Sequence, residues 1–308
     1  MQPQNLRTLA DGLLFPESPV ACGDGTFLVV EIARETVTRV HPGGGVEVVA
    51  ECGGGPNAVA IGADGAAYVT NNGGANAFRE SNGMLIPLSE PPSSWPGHGS
   101  IQRVDLASGK VTTLYESCDE HPLRAPSDLV ISPDGSIWFT DHGVAQERTV
   151  DRSSVYWCRP DGEEIREVIF PVERPNGIAL SQSNSRLYVA ETFTGRTWYW
   201  DIAEPGRVTR GIPARKSRNL LMAPQGLTMF DGMAVDGAGW VCVARLGEGG
   251  IVSVPPDGDP EAVEFVSLPD PFVTNICFTG DHAVATLGAT GKLVMFDWPR
   301  PGGVTNFS

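Results

Sequence analysis

"RPNGIALSQSNSRLYVAET", residues 174–192, contains an Asn-Gly pair, one of the strongest turn signals in protein sequences. Yet Asn176-Gly177 opens a strand-like run instead of joining two strands. A near copy, "GPNAVAIGADGAAYVTNNG", starts at 55, and four further stretches follow the same phrase: "FPESPVACGDGTFLVVEIA" from 15, "APSDLVISPDGSIWFTDHG" from 125, "MFDGMAVDGAGWVCVARLG" from 229 and "PFVTNICFTGDHAVATLG" from 271. Each reads as a polar residue behind a Pro-like turn, an alternating apolar strand, a tight turn and a second apolar strand that ends in a polar loop. In four copies, Glu17, Asn57, Ser127 and Asp231 stand seven residues before the turn residue, at Asp24, Asp64, Asp134 and Ala238. Asn176 reads as having one residue extra before its turn, and the sixth copy is ambiguous between Thr274 and Asn275.

Most copies are followed by a second hairpin, as in "TVTRVHPGGGVEVVAE" and "SSVYWCRPDGEEIREVIF"; "RTWYWDIAEPGRVTRGI" fills this place in the fourth unit. Every unit therefore holds four strands, at roughly fifty residues per unit, close to the interval of propeller repeats. The last has only "GKLVMFDWP", and "QNLRTLA" near the start is free to complete it and hide the edge. The expected fold is all-β, a six-bladed β-propeller closed by an N-terminal strand, forming one domain over 1–308 with a long loop insertion at 73–100. A β-sandwich shows no such sixfold phrase, and β-helix coils are much shorter.

Composition agrees with a turn-rich globular chain: 41 % apolar and 19 % charged residues with 37 Gly and 25 Pro. A net charge of −15 repels phosphate backbones and anionic lipid, so neither nucleic acid nor a membrane is an expected partner. The start shows no charged n-region followed by an apolar stretch, which sets the expectation of a cytoplasmic protein. The six cysteines form no C-x-x-C pair and read as reduced thiols. No Gly-rich stretch carries the Lys-Ser/Thr of a phosphate loop, and no serine sits in a G-x-S-x-G elbow.

In a propeller the first strand of every blade lines the central channel, so Glu17, Asn57, Ser127, Asn176, Asp231 and Thr274 or Asn275 should share one mouth. Any single one is more often a turn former, through Asx or Ser motifs. Recurrence of the register carries the signal, together with Glu17, since Glu forms turns poorly. Carboxylates and carboxamide oxygens make a hard, negative donor set that suits Ca²⁺, Mg²⁺ or Mn²⁺ and accommodates Zn²⁺ or Fe²⁺. Without a cation, Glu17 and Asp231 crowded together would force one of them to hold a proton. Side chains at the ends of the second strands, Asn71 and Asn72, Asp141 and His142, Glu191 and Thr192, and Arg245, are specificity candidates. Phe78, Trp95 and His98 of the insertion are candidates to cover a bound small molecule, with a surface excursion as the alternative.

The phrases "FPESP", "RPNGIALS" and "FDGMAVD", in that order and spacing, resemble the senescence-marker-protein (regucalcin), gluconolactonase and luciferin-regenerating-enzyme family, from about Leu14 to Trp298. "PFVTNICF" is similar to its lactonase-type bacterial members. The resemblance implies a six-bladed propeller with one divalent metal held by Glu17, Asn176 and Asp231, Ca²⁺ first among the candidates, and with Asp231 also as general base. It implies a small-molecule substrate, a lactone or related small cyclic ester opened by metal-activated water, with Glu17, Asn176 and Asp231 as the catalytic set. Candidate substrate contacts are Ser127, Asp128, Asn57, Asn72, His142 and Asn275. One position departs from the family's "RPNDLV"-type phrase: this chain reads "APSDLV", with Ser127 in place of Asn and Ala125 in place of Arg. The alternatives are the same metal site used by a hydratase, a lyase or a phosphoester hydrolase, or a propeller that only binds.

Overall fold

The computed structural model describes residues 1–88, 90–209 and 219–307. Most of its strands assemble into six antiparallel sheets of four or five strands, each running outward from an inner strand, and two further hairpins form sheets of their own. The inner strands are Pro16–Ala21, Pro56–Ile61, Pro126–Ile131, Pro175–Leu180, Met229–Val235 and Val273–Thr279. The sixth sheet is closed by Gln4–Ala10, which pairs antiparallel with Lys292–Asp297. This is the six-bladed β-propeller that the repeat predicts.

The apolar alternation explains why the sheets face one another. In Phe27–Glu31, Phe27 and Val29 pack into a cluster with blade six, whereas Leu28 and Val30 pack into a cluster with blade two. The same division recurs around the ring, and each of six buried clusters joins two consecutive blades. Both faces of the middle strands are therefore buried, and burial of each Val or Leu contributes about 1.5–3 kcal/mol.

The tight turns also settle the registers. In the first three blades an Asp Oδ1 accepts the backbone N–H two residues on, Asp24 from Thr26 (2.9 Å), Asp64 from Ala66 (3.2 Å) and Asp134 from Ser136 (3.1 Å), and a positive-φ Gly comes after each Asp. Blade four has no extra residue. Asn184, at φ 55°, takes the glycine's place and donates its N–H to the Ser181 carbonyl (2.8 Å), as Gly25 does to Cys22 (2.9 Å). Blade four's edge also departs from expectation. Arg207–Val208 and Leu220–Met222 both pair with Arg196–Glu204, and 210–218, which includes part of the expected outer strand, lies outside the described residues.

Every inner strand slips register at one place, between Glu17 and Val20, Pro56 and Ala58, Pro126 and Leu129, Pro175 and Ile178, Phe230 and Met233, and Val273 and Asn275. A bulge releases a residue from the ladder and re-aims its side chain. By this register Glu17, Asn57, Ser127, Asn176, Asp231 and Thr274 are equivalent, and Asn275 stands one position deeper, level with Ser18 and Asp128. The Asn176-Gly177 pair is accordingly no turn. A Cβ on Gly177 would lie 2.4 Å from the Asp231 carbonyl oxygen, so glycine is there to let the inner strands of blades four and five approach.

The far end of the channel is covered by residues 303–307. Asn306 donates to the Ile131 carbonyl (2.7 Å), and Phe307 packs against the cluster between blades two and three. A small cavity of about 150 Å³ remains between this tail and the channel floor. Among the described residues no helix is long and apolar enough to cross a membrane.

Two outcomes test this architecture. Removal of residues 1–10 should lower the melting temperature and produce concentration-dependent aggregation, because the Lys292–Asp297 edge loses its partner. Gly177→Ala should destabilise the protein by about 1–3 kcal/mol in denaturant titration; an unchanged midpoint would contradict the close strand approach.

Candidate functional site

The bulged positions open onto a cavity of about 600 Å³ at one end of the channel, lined by Glu17, Asn57, Ser127, Asn176 and Asp231. Asn72, His142 and Thr192 line it as well. Thr274 is fully buried; its hydroxyl donates to the Pro16 carbonyl (2.8 Å) and ties blade six to blade one. Asp128 and Asn275 do not line this cavity. They face the smaller one beneath it, with Ser18, so the structure places them under the mouth as support.

Hydrogen bonds run from blade to blade across the floor. Asn72 Nδ2 donates to Asn57 Oδ1 (3.2 Å), Asn57 Nδ2 to Ser127 Oγ (3.3 Å), Ser127 Oγ to Asn176 Oδ1 (3.0 Å) and Asn176 Nδ2 to Thr192 Oγ1 (3.3 Å). Ser127, the departure from the family phrase, thus orients the Asn176 carboxamide. A carbonyl oxygen has two acceptor sites, so Asn176 Oδ1 keeps one for a ligand. Glu17 is held from below, accepting from Asn275 Nδ2 (2.9 Å) and from the Ser18 N–H. Ser18, at φ 49°, and Phe15, at φ 54°, hold left-handed backbone on either side of it, a strain that gathers at functional positions.

Three buried carboxylates meet here: Glu17 is 3 % exposed, Asp128 5 % and Asp231 8 %. Burial, then Asp231 and Asp128, drive the Glu17 carboxyl well above the usual carboxylate range. Burial, then Asp128, drive Asp231 upward, against a hydrogen bond from Asn176. Asp128 is raised to about 7 by burial, even though it accepts N–H bonds from Ile178 (3.1 Å) and Leu129 (2.9 Å). Among the described residues none of the three has an ion-pair partner, and no group of three or more His, Cys, Asp or Glu side chains forms a ready-made metal cluster. The cavity floor offers two carboxylates and a carboxamide, with a third carboxylate behind. A cation would relieve their mutual repulsion, so the oxygen-only donor set fits a hard divalent ion.

The second-strand candidates divide by position. Asn71, Asp141 and Glu191 turn to the backbone of the entering loops: Asn71 Oδ1 accepts from Gly55 (2.9 Å), Asp141 from Arg124 (2.6 Å) and Ala125 (2.8 Å), and Glu191 from Glu173 (2.9 Å). The residues after them, Asn72, His142 and Thr192, face the cavity. Arg245 pairs with Glu248 (3.0 Å) and is absent from the cavity wall. His142 is half-buried; a ring nitrogen lies 3.3 Å from the Pro175 carbonyl, and burial together with the Arg174 charge holds its pKa well below the ordinary imidazole value.

The insertion carries a hairpin, Phe78–Ser81 with Met84–Pro87, that reaches blade six through the Leu85 N–H and the Ala289 carbonyl (2.9 Å). Pro87, Leu88 and Pro91 line the cavity. The aromatic candidates do not. Phe78 packs against Phe15 with the rings tilted by 47° and centroids 4.8 Å apart, Trp95 Nε1 donates to the Asn72 carbonyl (3.1 Å), and His98 approaches the Gly99 carbonyl at 3.4 Å. Arg124 fastens this insertion, lying over Trp95 (4.7 Å) and pairing with Asp151 (2.9 Å). Sequence reading missed Arg174 and Phe193, both in the cavity wall. It also missed Thr70 and Thr140, whose hydroxyls donate to the Ser127 and Asn176 carbonyls of the next blade.

Comparison with known proteins agrees with this architecture. The chain is 25 % identical over 304 residues to a gluconolactonase of Zymomonas mobilis, covering 94 % of this chain and 80 % of that one. It is 22 % identical to regucalcin of Xenopus laevis, covering 75 % of each. Among solved structures, a calcium-binding regucalcin from Agrobacterium tumefaciens superposes with a TM-score of 0.74 at 18 % identity, over 98 % of this chain and 96 % of that one. A gluconolactonase from Xanthomonas campestris gives 0.71 at 22 % identity, over 96 % and 89 %. The family described as the SMP-30/gluconolactonase/LRE-like region matches residues 15–288. The chain belongs to that family.

Proposed function

We propose that this protein is a divalent-cation-dependent hydrolase that opens a lactone or a related small cyclic ester. The observation that carries the reading is the meeting of Glu17, Asn176 and Asp231 on the floor of a largely apolar cavity, with no cationic partner among the described residues. The name of the Zymomonas mobilis relative, which spans nearly the whole chain, supports a lactone as the class of substrate.

Glu17, Asn176 and Asp231 would hold the ion, Ca²⁺ first among the hard divalent cations that suit all-oxygen sites. A bound divalent cation supplies a Lewis acid for the ester carbonyl and lowers the pKa of water. Asp231, whose proton affinity burial raises, accepts the proton of the attacking water. Water adds to the carbonyl carbon, the ring C–O bond breaks, the ring oxygen takes up a proton, and a hydroxy acid results. Ser127 and Asn275 act as positioning residues, since they orient Asn176 and Glu17. The apolar wall excludes bulk water and strengthens the electrostatics at the floor.

A chelator should abolish hydrolysis across a lactone panel, and an added divalent cation should restore it. Asp231→Asn should keep the fold and lower kcat by about 10²–10⁴-fold, whereas Glu17→Gln should weaken cation affinity by at least about tenfold, read by cation-induced thermal shift. Full activity in chelator, or in both variants, would remove the mechanism.

His142 stays neutral at working pH, so His142→Gln should leave the limbs of the pH–rate profile between about pH 5 and 8 in place. Its depressed folded-state pKa makes the unfolded chain the better proton acceptor below 6.5, which costs native stability as pH falls. The variant should therefore lose less stability in acid than the wild type, measured by denaturant midpoint against pH.

A further inference from the structure

One cation in the cavity wall has no role in the proposed hydrolysis. Arg174 lines the cavity beside His142 and Phe193, with its guanidinium 5.0 Å from the Phe193 ring centroid. Its Nε is buried with no hydrogen-bond partner among the described residues. Asp151, one of the two carboxylates whose field it feels, is already paired with Arg124 at 2.9 Å. Glu173, the other, lines the same cavity and forms no ion pair with it among the described residues. Arg174 also sits at φ 49°, a left-handed conformation that costs a non-glycine residue free energy and persists where the surroundings enforce it. A buried guanidinium N–H left without an acceptor is costly, and a ligand that supplies one removes that cost.

Most of the remaining wall surface is apolar, with Asn72, Asn76 and Thr192 as polar points on it. Leu88, Val144, Phe193, Leu246 and Phe272 face a volume of about 600 Å³, within the range that encloses drug-sized ligands. That larger, apolar part of the wall offers little to hydroxyl groups and much to a hydrocarbon or aromatic body.

We infer that the substrate is a lactone with an apolar body and a single carboxylate, and that Arg174 is the specificity-determining residue that receives the carboxylate. The inference rests on the hydrolase reading and adds the class of lactone. The lactone carbonyl meets the floor, the body lies against the apolar wall, and the carboxylate takes the guanidinium in a charge-assisted pair. One guanidinium matches one negative charge. A phosphate would bring close to two, leaving the second uncompensated beside Glu173 in a chain of net charge −15.

The test uses two lactones with the same aryl body, one carrying a free carboxylate and the other its methyl ester, together with the corresponding non-hydrolysable lactams for calorimetry. Wild type should favour the carboxylate in kcat/KM by about tenfold or more, through KM. Arg174→Gln should erase that preference, lowering kcat/KM for the carboxylate far more than for the ester. Arg174→Gly, which fits the left-handed backbone, should melt with the wild type and lose the same preference. Lactam affinities should rank identically, so the role of Arg174 is read even if neither lactone turns over, an outcome that sinks only the hydrolase reading. Equal lactam affinity for both charge states in wild type, or equal loss for both ligands in Arg174→Gln, overturns the inference.

Discussion

Closure of six sheets around one axis forces every inner strand to present the same backbone position at the same end of the channel. The bulge in each inner strand turns that coincidence of position into a convergence of side chains, since it frees Asn57, Ser127, Asn176 and Asp231 from the ladder and, in blade one, begins directly after Glu17. Convergence has an electrostatic consequence. Buried carboxylates from blades one, three and five are brought together by a backbone whose stability comes from the six interblade clusters. The repulsion among Glu17, Asp128 and Asp231 is a cost that packing elsewhere sustains, and a cation would turn it into binding energy.

The site is built in two layers. The upper layer offers oxygen atoms to the cavity. The lower layer, Ser18, Asp128 and Asn275, fixes the upper one; Ser18 Oγ accepts from the Val59 N–H (3.0 Å), and Asn275 holds Glu17. Small residues make room for this stacking. A Cβ on Gly232 would lie 2.1 Å from the Asn275 carboxamide, so blade five has glycine where blade three has Asp128. The threonines of the second strands complete the frame by donating to the carbonyls of the next blade's bulge.

The repeat was legible because period-2 alternation and Asp-Gly turns are local signals, and ring closure by "QNLRTLA" could be deduced from a missing strand. Glu17, Asn176 and Asp231 were legible through their shared register. The layer to which a residue belongs was not: Thr274 and Asn275 differ by one position, and only the bulge decides between them. Spacing misled at Asn184, where a left-handed asparagine stands in for glycine. The polar residues ending the second strands looked alike in sequence, but strand alternation sends Asp141 to the loop backbone and His142 to the cavity. Arg174 gave no signal, because an Arg before Pro is unremarkable until its buried Nε is seen to lack a partner among the described residues.

The chain's departures from the family phrase have a consistent sense. Ser127 shortens the third-blade side chain and becomes a bridge to Asn176, Arg124 is diverted to the insertion, and the arginine that faces the cavity comes from blade four. Anomalous scattering from crystals soaked in Mn²⁺ tests the central claim most directly. Convergence on a cation predicts one strong peak coordinated by Glu17, Asn176 and Asp231 at the cavity floor. A peak elsewhere, or none at that floor in crystals whose cavity is open to solvent, would contradict it.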